Sequence, residues 1–163
     1  MERVLVIGCS GAGKTHFSLR LAEKTGLPLV HLDEHFWQAG WVAREPKDWR
    51  QRISALMAEP RWIMDGNYTG SLEQRLPAAD TVFFLDLPRR VSLISVILRT
   101  IASYGRTRYG VAAGCGERFE LEFFAFIWNF HRIQRPRLTA ALKNFGGKVV
   151  TFRSRAEIEA WLA

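Results

Sequence analysis

The stretch Gly8-Cys9-Ser10-Gly11-Ala12-Gly13-Lys14-Thr15 constrains this chain more than any other. It fills every fixed position of G-x-x-x-x-G-K-[ST]. The apolar run Val4-Leu5-Val6-Ile7 precedes it, and a helical pattern carried by Phe17, Leu21 and Ala22 follows. Strand, glycine-rich loop and helix in that order are the setting of a phosphate-binding loop. Glycines at 8, 11 and 13 admit backbone conformations closed to residues with a Cβ, so successive N–H groups can turn inward on an anion. The start of the next helix adds unpaired N–H groups and the positive end of its dipole. Lys14 has the reach for β- and γ-phosphates, and Thr15 can offer a hydroxyl to Mg2+. A turn that merely joins strand to helix would need neither residue. Gly8, Ser10, Gly11, Ala12, Gly13, Lys14, Thr15 and His16 are therefore the candidate contacts for ATP, with Thr15 a candidate ligand of its Mg2+.

Four more apolar runs read as strands: Leu29 to Leu32, Trp62 to Asp65, Thr81 to Asp86, and Lys148 to Phe152. The run at Thr81 is unbroken, as in a strand buried on both faces of a parallel sheet. Between them, Trp49, Ile53, Leu56 and Met57 mark one apolar face of a helix. Further helices are predicted over 89–104, 117–132, 137–144 and 156–162, the last capped by Ser154. Phe119, Phe123, Phe126, Ile127 and Phe130 follow helical spacing and are expected in the core. His35 to Trp41 reads as a loop, and Gly105 to Gly110, glycine-rich and basic, as a mobile one. Strands alternating with helices predict an α/β fold, a three-layer doubly wound sandwich around a five-stranded parallel sheet. Ligands in such sheets collect at the carboxyl ends of the strands. Asp33, Asp65 and Asp86, each just after its apolar run, then share one rim with the phosphate loop.

At 163 residues, 48% hydrophobic and 24% charged, the chain suits one globular domain over 1–163 and is short for two. Two cysteines make no disulfide framework, and Cys9 lies inside the loop, so a reducing cytoplasm is expected. No signal-peptide core follows Met1, and no apolar stretch is long enough to span a bilayer, so no membrane association is expected. The net charge of +7 is concentrated: residues 99 to 155 carry eleven Lys or Arg against three acids. Such a segment suits nucleotide phosphates or a nucleic-acid backbone, and also a plain solvated face.

With these landmarks located, the chain resembles the adenylate-kinase-like P-loop kinases, and it looks closest to the DNA topology modulation proteins. The motifs that carry this are Gly8 to Thr15, His31-Leu32-Asp33, Trp62 to Tyr68, Phe84 to Pro88, Gly105-Arg106-Thr107-Arg108 and Ile127-Trp128-Asn129-Phe130. The resemblance implies strand order 2-3-1-4-5 and a short Arg-rich lid at about 105–116. It implies that Asp65 organises the water shell of Mg2+, with Asp86 as its rival, and that Asp33 orients an acceptor hydroxyl and takes its proton. Arg99, Arg106 and Arg108 become candidate clamps on the transferred phosphoryl group, a task for which the planar guanidinium fork is suited. Ser154 and Arg155 fall where this superfamily builds its adenine pocket.

The chain also departs from adenylate kinase itself. Its lid has no four-cysteine knot, and Asp65-Gly66-Asn67-Tyr68 replaces the Asp-Gly-Phe-Pro-Arg acceptor motif. The Arg that would grip an acceptor nucleotide's phosphate is thereby absent, which argues against AMP. Trp37, Trp41 and Tyr68 suit two roles, stacking on a planar acceptor or covering a core. The expected activity is transfer of the γ-phosphoryl group of ATP, with Mg2+, to an unidentified small-molecule acceptor, a nucleoside or nucleotide among the candidates. The alternative is a nucleic-acid-associated ATPase or regulator. No helix-turn-helix, zinc or RNA-recognition motif supports base reading.

Overall fold

The computed structural model describes residues 1–163. Its elements in chain order are β1 (Arg3–Gly8), α1 (Lys14–Thr25), β2 (Leu29–His31), α2 (Leu32–Phe36), β3 (Trp37–Gln38), β4 (Val42–Ala43) and α3 (Pro46–Met57). They continue with β5 (Trp62–Asp65), α4 (Leu72–Arg75), β6 (Thr81–Leu85), α5 (Arg89–Ser103), α6 (Leu121–Lys143), β7 (Lys148–Phe152) and α7 (Arg155–Leu162). The main sheet runs β2-β5-β1-β6-β7, every pairing parallel. Counted as the five strands expected from the sequence, this is the order 2-3-1-4-5.

The residues explain the layering. Val4 to Ile7 of β1 are fully buried, and β5 and β6 are buried throughout, as parallel strands covered by helices on both faces must be. Alternate side chains then enter opposite cores. Leu5, Ile7, Trp62, Met64, Val82 and Phe84 pack with Trp49 and Ile53 of α3, Val96 of α5, and Ile127, Phe130 and Leu138 of α6. Val4, Val6, Ile63, Phe83 and Leu85 pack with Phe17 and Leu21 of α1 and with Ile158 and Leu162 of α7. No helix is long and apolar enough to cross a membrane.

Three local expectations are corrected. His35 to Trp41 is not simply a loop: α2 runs into an antiparallel hairpin, Trp37 opposite Ala43 and Gln38 opposite Val42, turning at Gly40 and Trp41 with positive φ. The two helices expected over 117–132 and 137–144 are one helix of 23 residues with Pro136 inside it. An interior proline costs about 3 kcal/mol or more. Burial of Ile127, Phe130 and Leu138 on both sides of it keeps the helix continuous. Of the expected aromatic face, Ile127 and Phe130 are core and Phe123 packs against it half-buried, whereas Phe119 and Phe126 are 56% and 41% exposed. The segment between α5 and α6 doubles back, with Gly105 N–H donating to the Glu117 carbonyl at 2.8 Å and Glu117 N–H to the Arg106 carbonyl at 3.0 Å. Its base is pinned by backbone bonds.

Candidate active site

β1 delivers the chain into the glycine-rich loop, and α1 leaves it. Gly11 has φ +83°, and a Cβ there would run into the Ser92 carbonyl oxygen of α5. Gly13 has φ +94° and stands at the N-cap of α1 with no side-chain cap, so the first N–H groups of the helix remain open to an anion. Ser10, Gly11, Gly13, Lys14, Thr15 and His16 line a cavity of about 790 Å³. Gly8 and Ala12 are buried and do not line it. The Gly8 N–H donates to Asn67 Oδ1 at 2.9 Å, and Ala12 packs in the core. Lys14 Nζ donates to the Cys9 carbonyl at 3.1 Å, which folds the ammonium over the loop. Burial pushes the Cys9 thiol up to about 11.

Asp65 ends β5 almost fully buried. Its Oδ2 accepts from Thr15 Oγ1 at 2.9 Å and lies 3.0 Å from His31 Nδ1, the residue that closes β2. Parallel pairing of β2 with β5 puts His31 directly beside Asp65, so this contact follows from sheet register. Asp86 is placed otherwise: its two oxygens accept from Arg135 Nε and Nη2, both at 2.7 Å, and it does not line the cavity. Of the two rival carboxylates, Asp65 alone stands beside the phosphate loop. The pair Thr15 and Asp65 fits Mg2+ chemically. That ion takes hard oxygen ligands, few of them from protein, and completes its shell with phosphate and water.

Asp33, in the first turn of α2, lines the same cavity and accepts from the Tyr68 hydroxyl at 2.5 Å. Burial holds its carboxyl above the usual carboxylate range, against the pull of the Tyr68 hydrogen bond and of Lys14. Arg99 and Arg108 line the cavity too, and they converge on Glu117, which is 5% exposed. Glu117 Oε1 accepts from Arg108 Nε and lies 3.4 Å from Arg99 Nε, while Oε2 accepts from Thr100 Oγ1 at 3.1 Å. Burial, and then the neighbouring Arg108, lower the pKa of Arg99. Arg106 is exposed and lies outside the cavity, so the third candidate clamp is not at the site.

Arg155 reaches the cavity and donates to Ser95 Oγ at 2.6 Å. Ser154 does not; its hydroxyl accepts from the Glu157 N–H at 3.2 Å and caps α7. Trp37, Trp41 and Tyr68 are all cavity wall. Tyr68 also packs on Phe36 and Trp49, so wall and core are continuous there. Three participants lacked a signal of role in the sequence. Glu117 is one of only three acids in the basic segment, a contrast that marks it in hindsight. Asn67 tethers Gly8. Arg75, fully buried, donates to the carbonyls of Gly66, Asn67 and Tyr68 at 3.3, 2.5 and 3.1 Å.

Five of the eleven basic side chains in this segment are engaged, and the other six, Arg106, Arg132, Arg137, Lys143, Lys148 and Arg153, are exposed. Arg99 and Arg108 meet Glu117, Arg118 meets Glu120, Arg135 meets Asp86, and Arg155 turns into the cavity.

The sequence matches no protein-family model and no curated protein. Solved structures do match. Shikimate kinase from Bacteroides thetaiotaomicron superposes with a TM-score of 0.63 at 16% identity, over 99% of this chain and 94% of that one. Shikimate kinase from Acinetobacter baumannii in complex with shikimate gives 0.63 at 14% identity, over 99% and 91%. The finer resemblance to DNA topology modulation proteins rests on sequence motifs alone. What the superpositions show is the fold: this chain shares the α/β sandwich of these shikimate kinases over nearly its whole length.

Proposed function

We propose that residues 1–163 form a single kinase domain that moves the γ-phosphoryl group of ATP to the hydroxyl of a small acceptor. The observation that carries this is one cavity holding the phosphate loop, Asp33 and the paired Arg99 and Arg108 together. The loop N–H groups and Lys14 bind the β- and γ-phosphates. Thr15 and Asp65 would hold Mg2+, which, when bound, neutralises charge on those phosphates. Asp33 accepts the acceptor's proton as its oxygen bonds to the γ-phosphorus, and the bond to the β–γ bridging oxygen breaks, releasing ADP. Its raised pKa makes it the stronger base for that step. Arg99 and Arg108 spread charge on the phosphoryl group in flight, with Glu117 fixing their direction. The hairpin and the segment 105–116 wall the acceptor side, and Arg155 meets the nucleoside end of ATP. Both cysteines are free and buried, which suits a cytoplasmic location.

ADP release with Mg2+ across nucleosides, nucleotides, sugars and hydroxy acids tests the proposal. Turnover with at least one acceptor, lost in Lys14→Ala, is expected. No turnover above that variant with any of them rejects it. Nucleic-acid binding has exposed basic side chains but no recognition motif behind it, and duplex binding that is absent at low salt closes that alternative.

A further inference from the structure

The charge inside the cavity discriminates between acceptors. On the acceptor side its guanidiniums are Arg99, Arg108 and Arg118, while a fourth, Arg155, turns to Ser95 on the side assigned to the nucleoside end of ATP. Arg99 and Arg108 share the buried Glu117, and Arg118 Nη2 sits 3.1 Å from Glu120 Oε1. Against these three cations stand four carboxylates, Glu117, Glu120, Asp33 and Glu122, the last two in no ion pair. An acceptor carrying its own carboxylate or phosphate would meet this surplus of negative charge. Of the guanidiniums that could answer it, Arg118 lies against Glu120 at the exposed edge, and Arg99 and Arg108 lie against Glu117. The Arg pair is moreover committed to the transferring phosphoryl group.

The rest of that half is aromatic. Trp37 and Trp41, 5.5 Å apart, come from the hairpin, Tyr68 from the turn after β5, and Phe123 and Phe126 from α6. Aromatic side chains of this number, held by separate elements around one space, favour a flat ring, whose faces they can cover without charge. Shikimate, present in the Acinetobacter baumannii structure, is a carboxylate with a puckered ring, and it fits neither property.

We infer that the acceptor is an uncharged hydroxyl compound bearing a flat ring, of the chemical class of an unphosphorylated nucleoside. This rests on the kinase reading above and narrows it. The nucleoside hydroxyl meets Asp33, the ring meets the aromatic wall, and the surplus carboxylates exclude the phosphorylated product and other anions.

The test is isothermal titration of the wild-type chain, loaded with Mg2+ and a non-hydrolysable ATP analogue. The ligands are adenosine, guanosine, cytidine, uridine and thymidine, each against its 5′-monophosphate, and shikimate. At least one nucleoside is expected to bind tenfold or more tighter than its monophosphate and than shikimate, and to support ADP release with ATP. Trp37→Ala should weaken that nucleoside by about tenfold while the ATP analogue binds as before. Glu117→Gln, which removes the carboxylate partner of two arginines, should narrow the gap between nucleoside and monophosphate. Monophosphates or shikimate binding as tightly as the nucleosides overturn the inference, as does an ATP analogue that binds while no nucleoside does. Failure of the ATP analogue itself to bind rejects the kinase reading instead.

Discussion

Removing one hydroxyl, in Tyr68→Phe, probes the electrostatics of Asp33 without an identified acceptor. The ring keeps its packing on Phe36 and Trp49, at centroid distances of 4.6 and 5.1 Å, so the substitution deletes little beyond the 2.5 Å bond to Asp33 Oδ1. A hydrogen bond to a charged group contributes about 1.5–3 kcal/mol, and one to a neutral group about 0.5–1.5. Burial raises the Asp33 pKa above the usual carboxylate range. A carboxyl raised on folding stabilises fully below its unfolded pKa, and that stabilisation is lost as pH climbs through the folded value. The Tyr68 hydroxyl limits the loss, because it donates to the ionised form. Tyr68→Phe should therefore be less stable than wild type at both ends, with the gap wider by about 1–1.5 kcal/mol at high pH than at low pH. Urea denaturation of both proteins at about pH 4 and about pH 8 measures this. A difference that does not change with pH would refute the charge-assisted bond, and a difference that shrinks with pH would reverse its sign.

Asp65 and Asp86 separate in a paired experiment. Asp65→Asn should lower Mg2+-dependent ADP release by about 10²-fold or more, the scale of losing one electrostatic contact to the reacting phosphates. Asp86→Asn should leave release near wild type and cost about 1 kcal/mol of stability, a small value because Arg135 is 40% exposed. Comparable losses of release in both would void the assignment. Gly11→Ala must place a Cβ against the Ser92 carbonyl at φ +83°, so a loss of about 1–3 kcal/mol in thermal or urea unfolding is expected, with weakened ATP binding. Wild-type stability there would mean that the loop relaxes freely. Cys9, with its thiol held up near 11, should resist thiol reagents at neutral pH although it lies in the phosphate loop. Rapid labelling of Cys9 in the folded protein, located by peptide mapping, contradicts that.

The strand, glycine-rich loop and helix from Arg3 to Thr25 were legible because their determinants are local. The spacing from Gly8 to Thr15 and an apolar run before it dictate strand, loop and helix, and the superposed fold agrees. The sheet was legible for a related reason: runs such as Thr81 to Leu85 carry no polar alternation and admit only a strand covered on both faces. Local rules failed where packing overrode them. Pro136 signals a helix end, yet the flanking buried side chains carry α6 through it. Asp65 and Asp86 were indistinguishable, each closing an apolar run. What separates them is Arg135, 49 residues from Asp86 in the chain, against Thr15 and His31 beside Asp65. Such pairings lie in the assembled sheet and helices, and no spacing in the sequence encodes them.

The turn from Asp65 to Tyr68 shows what that assembly accomplishes. Asp65 faces Thr15, Asn67 Oδ1 takes the Gly8 N–H, and Tyr68 holds Asp33, so three contacts from one turn tie the phosphate loop to Asp33. Tyr68 has φ +36°, a left-handed conformation that costs a bulky side chain about 1–3 kcal/mol. Arg75 opposes that cost from beneath, donating to the carbonyls of Gly66, Asn67 and Tyr68 and to Ser71 Oγ. It has no carboxylate partner, and burial lowers its pKa to about 10, which still leaves it protonated at neutral pH. A buried guanidinium without a counter-ion is stable only while its carbonyl dipoles stay in place. Any displacement of the turn therefore strips Arg75 of several bonds at once and releases Gly8 and Asp33 together. The phosphate loop and Asp33 are coupled through this cation, which touches neither.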